Sequence, residues 1–211
     1  MGAGILPTTI YNNQLYFLFG KENKYEDSAP GFSDFGGGTD NKENFLETAC
    51  REASEELTGF LGSPKEIRSL LSAGTFTIDY KSPGDKHSTY RMHIFPFEYN
   101  QDLPFYYNNN QQFIQKHLDA NVIKKTKIFE KEHIRWFSLN EAIKRRSEFR
   151  SYFQNILDIV YSQKERIKKF IKTHKPKKLL SSVSSTLTKS HNKYNKYNRK
   201  NRKTRKNLKK S

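Results

Sequence analysis

GGGTDNKENFLETACREASEELTGFLG, residues 36–62, is the stretch on which the reading of this chain turns. Three glycines come first, then a helical pattern, then a cluster of carboxylates. Glu52, Glu55 and Glu56 stand at i, i+3 and i+4, positions that share one face of a helix. Leu46, Ala49, Cys50, Ala53 and Leu57 step by three or four along the other side and form a stripe that can pack on a sheet. One short helix is thus predicted with a buried apolar side and an exposed carboxylate side. Three like charges on one face repel, so that face needs a counter-charge. A hard divalent cation, Mg2+ or Mn2+, suits an all-oxygen donor set. Gly36, Gly37 and Gly38 let the backbone turn sharply and approach a ligand closely. Thr39, Asp40 or Asn41 can cap the helix that follows.

An acidic helix face alone is commonly a solvated surface. The spacing around this one is more particular, and it resembles the signature box of the Nudix hydrolases. Gly37 leads to Glu43 after five residues, and Glu43 leads to Arg51 after seven. Arg51, Glu52, Ala53, Ser54, Glu55 and Glu56 follow in the family's order. The departure comes at the end, where Thr58 stands in the family's Gly position and Gly59 arrives one residue late. We read this as a one-residue extension of the helix ahead of its Gly cap. The resemblance implies an α/β fold, an α/β/α sandwich with a mixed β-sheet. It implies Mg2+ or Mn2+ held by Glu52, Glu55 and Glu56, and hydrolysis of a nucleoside diphosphate joined to another moiety. Arg51, which stays charged, would orient a box carboxylate through a bidentate pair, with Gly37 and Glu43 supporting the loop. The catalytic base is Glu55 or a Glu in the loop before the last strand, for which Glu132 is the candidate and Glu130 the reserve.

The charge of the chain is unevenly placed. Its 211 residues suit one domain of about 150 with extensions. No Asp or Glu follows Glu165, and residues 175–211 carry fourteen Lys or Arg. That segment supplies +14 of the net +16, leaving 24 basic against 22 acidic groups elsewhere. Ser/Thr-rich, then Lys/Arg/Asn-rich, it cannot bury enough apolar area to offset its ordering entropy, so it is predicted as a disordered basic tail beside a domain spanning 1–174. Its charge suits phosphate backbones, an anionic surface or a nuclear address, and Tyr194 and Tyr197 can stack on bases. A single Cys excludes an internal disulfide framework and fits an intracellular, reducing compartment. No apolar run approaches the 18 or so residues of a membrane span, and MGAGILPTTI lacks the pattern of a signal peptide.

Along the chain, Ile5–Ile10 and Leu15–Phe19 read as strands joined at Asn12-Asn13. Phe32–Phe35 reads as a short strand leading into the glycines. Ile67–Ser72, Thr75–Tyr80 and Thr89–Phe97 read as strands, the last ending or lying at an edge because of Pro96. His87 and His93 have no zinc-like spacing and read as loop or sheet residues. Residues 101–127 read as an irregular insertion, loop-like at Tyr106–Asn110 with a short helix near Phe113–Leu118, whose aromatics either stack on a base or pack the insertion on the core. His133–Ser138 reads as a strand running into a helix at Leu139, and Phe149–Ile171 as one long amphipathic helix. Three functions fit this chain: a hydrolase of small nucleotides, an enzyme removing the cap nucleotide from RNA held by the tail, and a non-enzymatic binding module. The intact carboxylates disfavour the third.

Overall fold

The computed structural model describes residues 1–24, 29–40, 42–81, 89–126 and 129–176. Strand β1 (Gly2–Tyr11) turns through Asn12 and Asn13 into β2 (Gln14–Glu22). Both asparagines have positive φ, 47° and 61°, as a two-residue hairpin turn of matching twist requires. β1 is the centre of the sheet. Along one edge it runs parallel to β6 (Thr89–Pro96), which pairs antiparallel with β5 (Phe76–Lys81). Pro96 is the last residue of β6, where its missing N–H matters least. Along the other edge β1 divides. Gly2–Ile5 pair with β4 (Phe35–Gly38), whereas Thr8–Tyr11 pair with β2. β2 in turn pairs with β3 (Phe32–Ser33) and with β7 (Lys131–Ser138). The chain therefore switches from β2 to β1 at Asp34, and Ser33 and Asp34 are buried at that fork.

Seven strands, parallel and antiparallel, make the mixed sheet that was expected. Helix α1 (Phe45–Glu56) packs on β1 and β4 through Ala49, Cys50 and Ala53, and α2 (Pro64–Leu71) packs on α1. α3 (Asp102–His117), followed by α4 (Ala120–Thr126), lies against β7. Helices α5 (Leu139–Lys144), α6 (Ser151–Ser162) and α7 (Lys164–Thr173) form the layer whose core holds Leu6, Met92 and Ile94 of the sheet. Ile5 and Phe95, their alternating neighbours, are fully buried on the other face. Phe17, Phe19, Phe32, Phe137, Phe149 and Phe153 join that layer in one ring cluster, edge-to-face at Phe19–Phe149, Phe32–Phe137 and Phe137–Phe149, tilted at Phe17–Phe19 and stacked at Phe149–Phe153. Helices on both faces complete the α/β/α sandwich.

Four local expectations are corrected. Residues 67–71, read as strand, belong to α2: Ser63 caps it, Pro64 stands in its first turn and Glu66 closes a capping box. Its Ile67, Leu70 and Leu71 follow the helical period, not alternation. Residues 102–117, read as loop with a short helix, form one 16-residue helix. Its Asn-rich middle is a poor helix former, but burial of Leu103, Tyr107 and Gln111 on one face outweighs propensity. The last long helix is two, separated at Gln163 (φ −101°, ψ 11°). The cap of α1 is Asn44, which accepts from the Leu46 and Glu47 amides, and not Thr39 or Asp40; Asn41 lies outside the described residues, as do the 82–88 turn with His87 and the basic segment from 177 onward.

Candidate active site

Arg51 joins the glycine loop to the carboxylate helix. Its Nε and Nη2 donate to the two oxygens of Glu43 at 2.8 and 3.1 Å. Nη2 also donates to the Gly38 carbonyl at 2.9 Å. Nη1 faces Glu52 Oε1 at 2.9 Å and Glu55 Oε2 at 3.0 Å. Thr48 Oγ1 and the Asp40 amide complete the acceptor shell of Glu43. The hydrogen bond from Arg51, more than any other contact, holds the Glu43 carboxyl below its usual range, and the same pair raises the Arg51 guanidinium. The spacing Gly-x5-Glu-x7-Arg thus closes a ring: helix residue 51 reaches back to loop residues 38 and 43.

The three carboxylates of the helix point to three different environments. Glu55 is the most exposed, at 56% of its side chain. Glu52 leans on Gly37, where a Cβ would stand 2.6 Å from its carboxyl, so a side chain there would displace the carboxylate. Burial raises the Glu52 carboxyl, and Arg51 works against that rise. Glu56 is buried, its side chain 5% exposed. Its Oε2 accepts from the Gly36 amide at 2.8 Å and its Oε1 faces Lys131 Nζ at 3.0 Å. Gly36 has no room for a side chain either, since a Cβ would meet Gly4 Cα at 2.3 Å. The expectation of one exposed carboxylate face is therefore corrected at Glu56. The i+4 residue rotates far enough toward the sheet to enter the core, while i+3 stays outside.

Beneath Glu56 lies a set of buried charges that spacing did not reveal. Lys131, fully buried, donates to Glu22 and, at 3.1 Å, to Ser33 Oγ. Arg150 Nη1 donates to the same Glu22 oxygen at 2.6 Å. Tyr90 donates to Asp34 Oδ2 at 2.8 Å. Burial pushes the Asp34 carboxyl up to about 6, and Glu56 well above its ordinary value, with Lys131 opposing in both cases. Burial works to lower Lys131, but Glu56 and Glu22 outweigh it and raise the ammonium above its usual range. Glu22 and Lys131 sit 109 positions apart in no readable pattern; only the pairing of β2 with β7 brings them together.

The helix exit and α3 close this end of the site. Thr58 has φ 46°, and the chain makes a two-bond Schellman closure: Thr58 N–H donates to Glu55 O and Gly59 N–H to Ser54 O, both at 2.9 Å. The helix is therefore not extended past the box; Thr58 itself takes a left-handed conformation. Gln111 Nε2 donates to Thr58 Oγ1 at 3.2 Å. The Tyr107 hydroxyl lies 3.0 Å from the carbonyls of both Glu56 and Lys131, so α3 ties the end of α1 to the start of β7. Asn108 exchanges two hydrogen bonds with the backbone of Ile134 and acts as a one-residue strand partner for β7.

Of the residues singled out from the sequence, Gly37, Glu43, Arg51, Glu52 and Glu55 are brought together at the loop–helix ring. Glu132 is the extra residue of a bulge in β7, since Lys21 stands opposite His133 and Glu22 opposite Lys131. Its carboxylate pairs with Lys21 at 2.7 Å. Glu130 is in the preceding turn, its carbonyl accepting from the Asn23 amide. Lys131, between the two candidates, is the residue that reaches the box. His93 is a sheet residue beside Thr75. Burial pushes the Cys50 thiol up to about 11, so it packs rather than reacts. Among the described residues no group of three or more His, Cys, Asp or Glu is arranged to hold a metal ion. The donor chemistry suits a hard cation at one place: oxygens of Glu52 and Glu55 converge on a single atom, Arg51 Nη1. No helix among the described residues is long and apolar enough to cross a membrane.

Set beside solved structures, the chain is similar to a C. elegans Ap4A hydrolase in a binary complex, with 14% identity and TM-score 0.46 over 79% of this chain and 99% of that one. It is similar to RenU, a Nudix hydrolase of M. smegmatis, with 13% identity and TM-score 0.47 over 79% and 86%. A third likeness is the NUDIX domain of Shewanella oneidensis NrtR complexed with ADP ribose, with 13% identity and TM-score 0.39 over 79% and 86%. No family model and no curated protein matches the chain. At such distances these likenesses say nothing of chemistry, which rests on the chain's own residues.

Proposed function

We propose that this chain is a hydrolase of the Nudix type, dependent on Mg2+ or Mn2+, that cleaves a diphosphate linkage in a nucleoside diphosphate joined to another moiety. The observation that carries the reading is the Arg51 guanidinium. It engages Gly38, Glu43, Glu52 and Glu55 at once, so the spaced residues of the box form one physical unit. Glu52 and Glu55 would hold the cation, with Glu56 bordering them from the buried side. When bound, the cation would neutralise the diphosphate and lower the pKa of a water. Arg51 restrains both carboxylates and loses little order doing so. Glu55 is the more accessible of the two candidate bases, and its exposure leaves room for a water at its side. Glu132 is the alternative base. The glycine loop leaves bare backbone beside Glu52, with open space at Gly38, where phosphate oxygens can approach closely.

A second reading, cap removal from RNA, is favoured by the fourteen basic residues of 175–211. One experiment addresses both: hydrolysis of a panel of dinucleotides, nucleotide sugars, inositol pyrophosphates and capped RNA with Mg2+ or Mn2+, by the full chain and by one ending at residue 174. Glu55→Gln should lower kcat by at least about a hundredfold, as loss of a positioned base does. A Glu55→Gln protein that turns over normally, with Glu132→Gln inactive, assigns the base to Glu132. Release of no phosphate or nucleotide from any member of the panel would sink the enzymatic reading.

A further inference from the structure

Glu56 stands on the helix face that the box offers to a cation, but the space beside its carboxylate is filled. Lys131 Nζ lies 3.0 Å from Glu56 Oε1 and 3.1 Å from Ser33 Oγ, and it also pairs with Glu22. Glu56 Oε2 is taken by the Gly36 amide. Neither partner is open to solvent: Lys131 is fully buried and the Glu56 side chain is 5% exposed. A divalent ion such as Mg2+ keeps several of its waters when bound, so it needs open room at its ligands. Here it would have to expel an ammonium from a closed, dry position and leave that ammonium without Glu56. The outer carboxylates differ. Glu52 and Glu55 face Arg51, which unlike Lys131 reaches the surface, and the Glu55 side chain is 56% exposed.

On the reading given under Proposed function, we infer that Lys131 is a built-in counter-cation for the inner end of the carboxylate face. This chain then takes its divalent cation at Glu52 and Glu55 alone, with Glu56 serving as a positioning residue locked by Lys131. The buried pair does the structural half of what a metal would do there: it neutralises Glu56, and through the Gly36 amide it holds the glycine loop against the helix. Lys131 reaches this point because it begins β7 directly before the bulge at Glu132, opposite Glu22.

The test is Mn2+ binding to the full chain, followed by the electron spin resonance of free Mn2+ and by Tm, with no substrate present. The wild type should bind one Mn2+. Glu56→Gln should leave that affinity within about threefold, whereas Glu52→Gln with Glu55→Gln should weaken it by at least about tenfold. Lys131→Gln vacates the inner cation position, so Mn2+ should raise its Tm more than that of the wild type. Lys131→Arg, which keeps the charge, should behave as the wild type. Two or more Mn2+ bound by the wild type would overturn the inference, and that measurement needs no variant to fold. So would a Glu56→Gln protein that loses Mn2+ as completely as the Glu52/Glu55 double variant; either result leaves the metal-dependent hydrolase standing. A wild type that binds no Mn2+ overturns both.

Discussion

Thr58 holds a left-handed backbone, φ 46°, which costs an L-residue about 1–2 kcal/mol and a β-branched one the most. Its compensation is one hydrogen bond from Gln111. Thr58→Gly should relieve the strain, lose that bond and pay some chain entropy. The net gain expected is about 0.5–1 kcal/mol in unfolding free energy by urea titration. A loss of stability instead would mean that the Gln111 contact matters more than the backbone. At Asp34 the sign of a pH effect follows from burial. Its carboxyl is pushed up to about 6 from 3.8. Between those values the native protein holds a proton that the unfolded chain has released. This contribution to stability is present at low pH and is lost as pH rises through about 6. Asp34→Asn should accept from Tyr90 without titrating. The difference in unfolding free energy between wild type and variant should then change by up to about 3 kcal/mol between pH 4 and pH 7. Parallel stability curves for the two proteins would show that Asp34 does not titrate in that window.

At the scale of elements, α3 is the piece whose importance is easiest to miss. It carries exposed Phe105, Tyr106 and Phe113 outward, yet its inner face does three separate jobs at the site. Tyr107 bridges α1 to β7, Asn108 pairs with the β7 backbone, and Gln111 holds the exit of α1. Tyr107→Phe removes one buried donor from two carbonyls and should cost about 1–2 kcal/mol. Asn108→Ala leaves the Ile134 N–H and C=O without their side-chain partner and should cost about 1–3 kcal/mol. Chemical denaturation of both variants checks this, and costs near zero would mean that α3 merely rests on the sheet.

For the whole molecule the asymmetry of charge is the dominant fact. The segment 175–211 carries +14 against +2 for everything before it. A chain ending at residue 174 should hydrolyse a small nucleotide as fast as the full chain, because the residues of the Arg51 ring all lie in 37–56. It should bind RNA more weakly, with the loss shrinking as salt rises. Each phosphate neutralised on a single strand contributes roughly −0.7 to the log–log salt slope, so half the fourteen charges would give a slope of order −5 for the full chain. Affinity measured at several salt concentrations for both proteins decides it. Equal slopes would mean that the basic segment does not read nucleic acid.

What was legible in the sequence was local or periodic. The Asn12-Asn13 hairpin, the helix after the glycines, the strands read at 75–80, 89–97 and 133–138 within a residue or two of their observed ends, and the apolar stripe of Phe153, Ile156, Leu157 and Val160 all follow from spacing within one element. The mixed sheet and its two helical layers follow from the order of those elements. The group of Gly37, Glu43, Arg51, Glu52 and Glu55 was legible through the resemblance of their spacing to the Nudix box, and a loop and a helix adjacent in sequence bring them close. Residues 67–71 and 102–117 were misread because a capping box and a buried helix face overrode apparent alternation and turn composition. The buried charges around Glu56 could not be read at all. Lys131, Glu22, Asp34 and Arg150 come from four separate segments, and only the fork of the sheet at Asp34 and the register of β2 on β7 bring them to one point. Spacing along a helix says which side chains share a face, but the tilt of that helix on the sheet decides which of them goes under. Here it left Glu55 in water and put Glu56 in the core, beside a lysine that no local pattern announces.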